Sequence, residues 1–127
     1  LADIDGDGDL DLVEGNNGST TRVYVNNGSG NFSDSGQALG GNLTRSVALA
    51  DIDGDGDIDL VAGNESGQAN RVYLNNGSGT FSDSGQALGN SNTISVALAD
   101  IDGDGDIDLV AGNNGQANRV YLNQTNP

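Results

Sequence analysis

Fifteen of the nineteen carboxylates in this chain are packed into three decapeptides. The middle one reads Asp51-Ile52-Asp53-Gly54-Asp55-Gly56-Asp57-Ile58-Asp59-Leu60. A copy runs from Asp3 to Leu12 with Leu10 in place of isoleucine, and an identical copy runs from Asp100 to Leu109. Five aspartates alternating with glycine or an aliphatic residue repel one another if left bare, so the stretch makes chemical sense around a hard cation, and calcium suits it best. Oxygen ligands at alternate positions of a tight loop converge, and the intervening glycines let the backbone curl around the ion. Side-chain oxygens are assigned to Asp3, Asp5, Asp7 and Asp11, with the Asp9 carbonyl as a further ligand. The matching sets are Asp51, Asp53, Asp55 and Asp59 with the Asp57 carbonyl, and Asp100, Asp102, Asp104 and Asp108 with the Asp106 carbonyl. Water would complete the roughly 6 to 8 oxygens that calcium takes. About three Ca2+ ions are expected, one per loop, and they would bring the formal charge from -15 to -9.

The first copy also satisfies the EF-hand pattern, with Gly8 at loop position 6 and Glu14 at position 12. The other two copies place Ala62 and Ala111 at that position, and the flanks read as strand and turn instead of helix. Nine-residue β-helix repeats fail as well, because the acidic loops recur at 48 and 49 residues. Catalysis has little to work with: His, Cys and Lys are absent, and the aspartates are committed to ligation. The metal therefore reads as structural.

Charge and composition narrow the partners. With 19 acidic against 4 basic side chains, the chain is not drawn to nucleic acid or to an anionic membrane by electrostatics. No apolar run approaches membrane-spanning length, so no membrane insertion is expected. Without cysteine there is no disulfide, and metal is the substitute staple.

The elements that must position the loops come from a tandem array. Leu1, Leu49 and Leu98 begin equivalent segments; residues 49–64 and 98–113 are identical, and 26–40 repeat as 75–89 with Asn31 replaced by Thr80. The expected units are 1–48, with a truncated first strand, 49–97, and 98–127, lacking its outer strand. Beginning inside a repeat, the chain reads as a piece of something longer. Within one period, residues 46–50 and 58–62 read as strands on either side of the acidic loop, and 71–74 as a third. Asn75-Asn76-Gly77-Ser78-Gly79 is a strong turn, and 80–82 with 86–88 supply an outer fourth strand. Twenty-one glycines among frequent Asn and Ser disfavour helix throughout.

Four short antiparallel strands per period of this length is the arithmetic of a β-propeller blade. The run Leu-Ala-Asp-Ile-Asp-Gly-Asp-Gly-Asp-Ile-Asp-Leu-Val-Ala-Gly-Asn, followed by Val-Tyr-Leu-Asn-Asn-Gly-Ser-Gly-Thr-Phe, resembles the FG-GAP or VCBS-type repeat of integrin-α-like propellers. The resemblance covers essentially the whole chain. It implies an all-β fold of tandem four-stranded blades, about two and a half of them, with calcium held between the first and second strands. A propeller needs about 4 to 8 blades to close, so the array is incomplete as a ring. Further repeats, a ring of copies, or a head-to-tail fibre of copies would each supply the rest.

The expected function is a non-enzymatic, calcium-stabilised extracellular module for structure or adhesion, since millimolar external calcium keeps weak loops filled. The alternative is a carbohydrate-binding module or an accessory domain of a secreted polysaccharide-processing enzyme. Its ligand face would be the recurring Tyr24, Tyr73, Tyr121 and Arg22, Arg71, Arg119. The plainer reading packs the tyrosines between blades and pairs the arginines at blade edges. A calcium-regulated switch is a third reading. Phe32 and Phe81 are expected in the core. Asn17, Asn27, Asn31, Asn42, Asn64, Asn76 and Asn123 stand in glycosylation sequons, making glycans a candidate partner although Asn-Gly-Ser is also ordinary turn chemistry.

Overall fold

The computed structural model describes residues 1–41 and 43–125. Ten strands run in chain order: β1 Leu12–Glu14, β2 Thr21–Asn26, β3 Phe32–Leu39, β4 Thr44–Ala50, β5 Asp59–Asn64, β6 Asn70–Asn75, β7 Phe81–Leu88, β8 Thr93–Ala99, β9 Asp108–Asn113 and β10 Arg119–Tyr121. They form three antiparallel sheets, ordered β1-β2-β3, β4-β5-β6-β7 and β8-β9-β10. Every described connection links neighbouring strands of one sheet or passes to the next sheet, and the described residues contain no helix. This is an all-β array of propeller-type blades that does not close into a ring.

The acidic stretches are the connections between paired strands. Ala50 sits opposite Asp59, and Ala99 opposite Asp108, at the mouths of their loops. In the first blade the single bridge Ala2 to Asp11 does the same, with the Asp11 N–H donating to the Ala2 carbonyl at 2.8 Å. Two glycines in each loop require their freedom: Gly6 and Gly8 stand at φ 79° and 94°, where a Cβ is disfavoured, and the other loops repeat the conformation.

The blades pack face to face, so burial depends on place in the array. In β5 all six residues are buried. Leu60 and Ala62 turn to the first blade, joining Ile4, Val13, Val23 and Leu39, with Tyr73 and Phe81 alongside. Val61 turns the other way, clustering with Val72, Val96 and Leu109. Alternation along one strand therefore feeds two cores. Among the described residues no sheet packs on the outer face of the first blade, and this corrects one expectation: Phe81 is buried against the first blade, whereas Phe32, its counterpart, is 45% exposed.

Candidate metal centre

Of the five aspartates in each loop, the structure brings three together. Carboxylate oxygens of Asp3, Asp5 and Asp11 lie within 4.8 Å of one another, as do those of Asp51, Asp53 and Asp59, and of Asp100, Asp102 and Asp108. Two oxygens that both bind calcium at about 2.3 to 2.6 Å can stand no more than about 5 Å apart. The spacing and the all-oxygen donor set thus fit a hard divalent cation. Asp7, Asp55 and Asp104 fall outside these groups. Their Oδ1 atoms accept the N–H of Asp9, Asp57 and Asp106, at 2.9 Å in each loop. The Asp9 and Asp57 side chains face the Asn-Gly turn of their own blades: a Cβ on Gly28 would lie 2.5 Å from Asp9 Oδ2, and one on Gly77 2.7 Å from Asp57 Oδ2.

The last aspartate of each group is the anchor. Asp11, Asp59 and Asp108 are fully buried. Asp59 accepts the N–H of Ile52 on one oxygen and that of Asn75 on the other, both at 2.9 Å, so it ties its loop to the end of the third strand. Asp11 does this with Ile4 and Asn26, and Asp108 with Ile101 and Asn123. The first aspartate closes the loop on itself: Asp51 accepts Gly54 N–H at 2.8 Å and Gly56 N–H at 2.9 Å.

Backbone N–H groups therefore supply part of the counter-charge that the acidic composition assigns to a metal. They do not supply all of it. Asp5, Asp53 and Asp102, the central members, have their carboxyl pKa values pushed above the ordinary range by desolvation, with neighbouring aspartates adding to the shift. Asp108 is held below it by the N–H groups of Ile101 and Asn123. A carboxylate that resists ionising beside others is the charge pattern a cation relieves. Glu14, the EF-hand position, lies on β1 and accepts the Tyr24 hydroxyl at 3.1 Å, away from the group.

The tyrosine and arginine rows differ in exposure from blade to blade. Tyr73 is 3% exposed, its hydroxyl set against Gly40 of the preceding blade, and Tyr121 meets Gly89 in the same way. Arg22 and Arg71 stand 4.0 Å from Asp34 and Asp83 and reach the carbonyls of Gln37 and Gln86; Arg119 is exposed. Among the sequons, Asn64 and Asn123 have the amide nitrogen engaged with backbone carbonyls. Asn17, Asn27, Asn31 and Asn76 are exposed, and Asn42 lies outside the described residues.

Sequence reasoning missed the asparagine at the end of the third strand. Asn26, Asn75 and Asn123 each donate a backbone N–H to the buried aspartate of their loop and a side-chain N–H to the carbonyl just before it. Its signal was present as an invariant Asn after Val-Tyr-Val or Val-Tyr-Leu in all three units, hidden because Asn-Asn-Gly already had a turn to explain it.

The family model for the FG-GAP-like repeat matches the chain twice, over residues 3–62 and 51–111. Each match runs from one acidic loop through the next, and the two share the middle loop. No curated protein matches the chain.

Proposed function

The chain belongs to the FG-GAP-like repeat family, and from that premise we propose that it is a non-enzymatic, calcium-stabilised extracellular module serving structure or adhesion. The observation that carries the reading is the repeated carboxylate group, three times over, each with a fully buried member that accepts one N–H from its own loop and one from the asparagine of the Val-Tyr-Val-Asn or Val-Tyr-Leu-Asn run. In this reading Asp3, Asp5 and Asp11 hold the first ion, Asp51, Asp53 and Asp59 the second, and Asp100, Asp102 and Asp108 the third. The remaining loop aspartates contribute carbonyl or water-bridged oxygens. A bound cation neutralises carboxylates that backbone donors only partly offset, and so fixes the mouth of each strand pair.

The apolar residues left open on the end blades, among them Phe32, Ile101 and Val120, are 45%, 47% and 56% exposed. We assign them to contact with further repeats or other copies. The test is a thermal melt coupled to a size measurement, with calcium and with chelator. Calcium at a hundredfold excess over its Kd should stabilise the fold by about 2.7 kcal/mol per site. If chelation changed neither melting temperature nor assembly, the reading would fail.

A further inference from the structure

The three buried aspartates are joined by one unbroken line of hydrogen bonds. Starting in the first loop, Asp11 Oδ2 accepts the Ile4 N–H at 2.9 Å. The carbonyl of that same Ile4 accepts Asn75 Nδ2–H at 2.8 Å, and the Asn75 backbone N–H donates to Asp59 Oδ1 at 2.9 Å. The line continues through the other oxygen: Asp59 Oδ2 accepts Ile52 N–H at 2.9 Å, the Ile52 carbonyl accepts Asn123 Nδ2–H at 2.7 Å, and Asn123 N–H reaches Asp108 Oδ1 at 2.8 Å. Each asparagine thus bonds its own loop and the loop of the blade before it.

We propose that cation binding at the three loops is positively coupled through Asn75 and Asn123, an inference that rests on the calcium reading above. The Ile4 peptide lies between Asp3 and Asp5, so whatever fixes those carboxylates fixes the carbonyl that Asn75 holds. Asn75 is 5% exposed, and Asp11 and Asp59 are fully buried, so these bonds act out of water, where a displaced donor is not readily replaced. The turn after Asn75 is clamped by the same residue, whose Oδ1 accepts the N–H groups of Gly77 and Gly79. That turn also rests on the first loop, a Cβ on Gly79 lying 3.3 Å from Asp5 Cβ. An ordered first loop therefore presents a formed seat to the turn that orders the second. Long-range charge works the other way, because each bound cation weakens the field that attracts the next. Screening over about 8 Å at physiological salt limits that term, whereas the bonded line is local.

The test is a calcium titration of the whole chain at physiological salt, followed by NMR at the amides of Gly8, Gly56 and Gly105. Each of these donates to the first aspartate of its own loop. The three signals should move together with a Hill coefficient above one. Asn75→Ala should shift the midpoint at Gly8, in the preceding loop, to at least about fivefold higher calcium, while Gly56 and Gly105 stay linked. Asn26→Ala is the control, since Asn26 makes the own-loop bonds and, among the described residues, no bond to another loop. It should move Gly8 without unlinking the other two. A merely structural Asn75 would disturb Gly56 and leave Gly8 in place, and that result overturns the coupling. So does independent filling of the three loops in the wild type, which alone decides the matter should Asn75→Ala fail to fold. Amides that do not respond to calcium at all would overturn the calcium reading itself.

Discussion

Asp59→Ala offers the sharpest separation between what the fold needs and what an ion needs. The side chain is fully buried and accepts two backbone N–H groups, from Ile52 and Asn75. Truncation leaves both donors without their acceptor at a cost of about 1 to 3 kcal/mol each, or about 2 to 6 kcal/mol in total. For a domain whose whole stability is about 5 to 15 kcal/mol, this is a large share. Asp55→Ala, four residues away, removes an exposed bond to the Asp57 N–H, which water replaces, together with one of the exposed charges that crowd Asp53, and should stay within about 0.5 kcal/mol. Both variants should be unfolded in urea with excess chelator, so that no difference arises from ion loss. Asp59→Ala should lower the midpoint strongly while Asp55→Ala leaves it near wild type. Equal effects, or an Asp59→Ala midpoint indistinguishable from wild type, would refute the idea that the last aspartate of each loop clasps that loop to the third strand independently of metal.

Gly40→Ala places a Cβ 2.5 Å from the Tyr73 hydroxyl at a φ of 71°, and should cost about 1 to 3 kcal/mol. Adding Tyr73→Phe should return the steric part and leave the backbone strain, which a double-mutant cycle in urea would resolve. Thr21 is buried with its hydroxyl unpartnered, where the equivalent Asn70 accepts the Asn64 N–H at 2.9 Å. Thr21→Asn should therefore stabilise the first blade by about 1 kcal/mol, read as a higher urea midpoint. In chelator, stability should first rise on acidification. Asp5, Asp53 and Asp102 have raised pKa values, so the fold is penalised above those values and relieved as the pH falls through them. It should then decline as the pH falls further, through the depressed value of Asp108, whose contribution is present only while it is ionised. A melting temperature that falls monotonically from neutral pH would contradict this order.

Much of the fold was legible because the period, the strand alternation and the glycine-bounded loops all state local rules. The strand pairs flanking each acidic loop, and the turn after Asn75, follow from such rules alone. What was not legible depends on neighbours distant in sequence. Phe32 and Phe81 read alike, yet among the described residues Phe81 packs against a neighbouring sheet while Phe32 lies open. Tyr24 and Tyr73 read alike, yet one bonds Glu14 and the other fills a gap beside Gly40. Within the loops, five aspartates at equal spacing look equivalent. The backbone then divides them into a self-closing first member, a crowded second, a buried last, and two outside the group. That division is set by which N–H groups the curl presents, and residue type does not reveal it.

The middle sheet carries a further consequence. β5 turns Leu60 and Ala62 toward one neighbour and Val61 toward the other, while Tyr73 and Asn75 reach back onto the blade before. Every unit of this kind is at once plug and socket. A duplicated copy inserted beside its parent meets on each side a surface it already fits, with no compensating change required. Lengthening such an array by recombination is then structurally undemanding, and freshly copied segments can remain letter-identical, as residues 49–64 and 98–113 are.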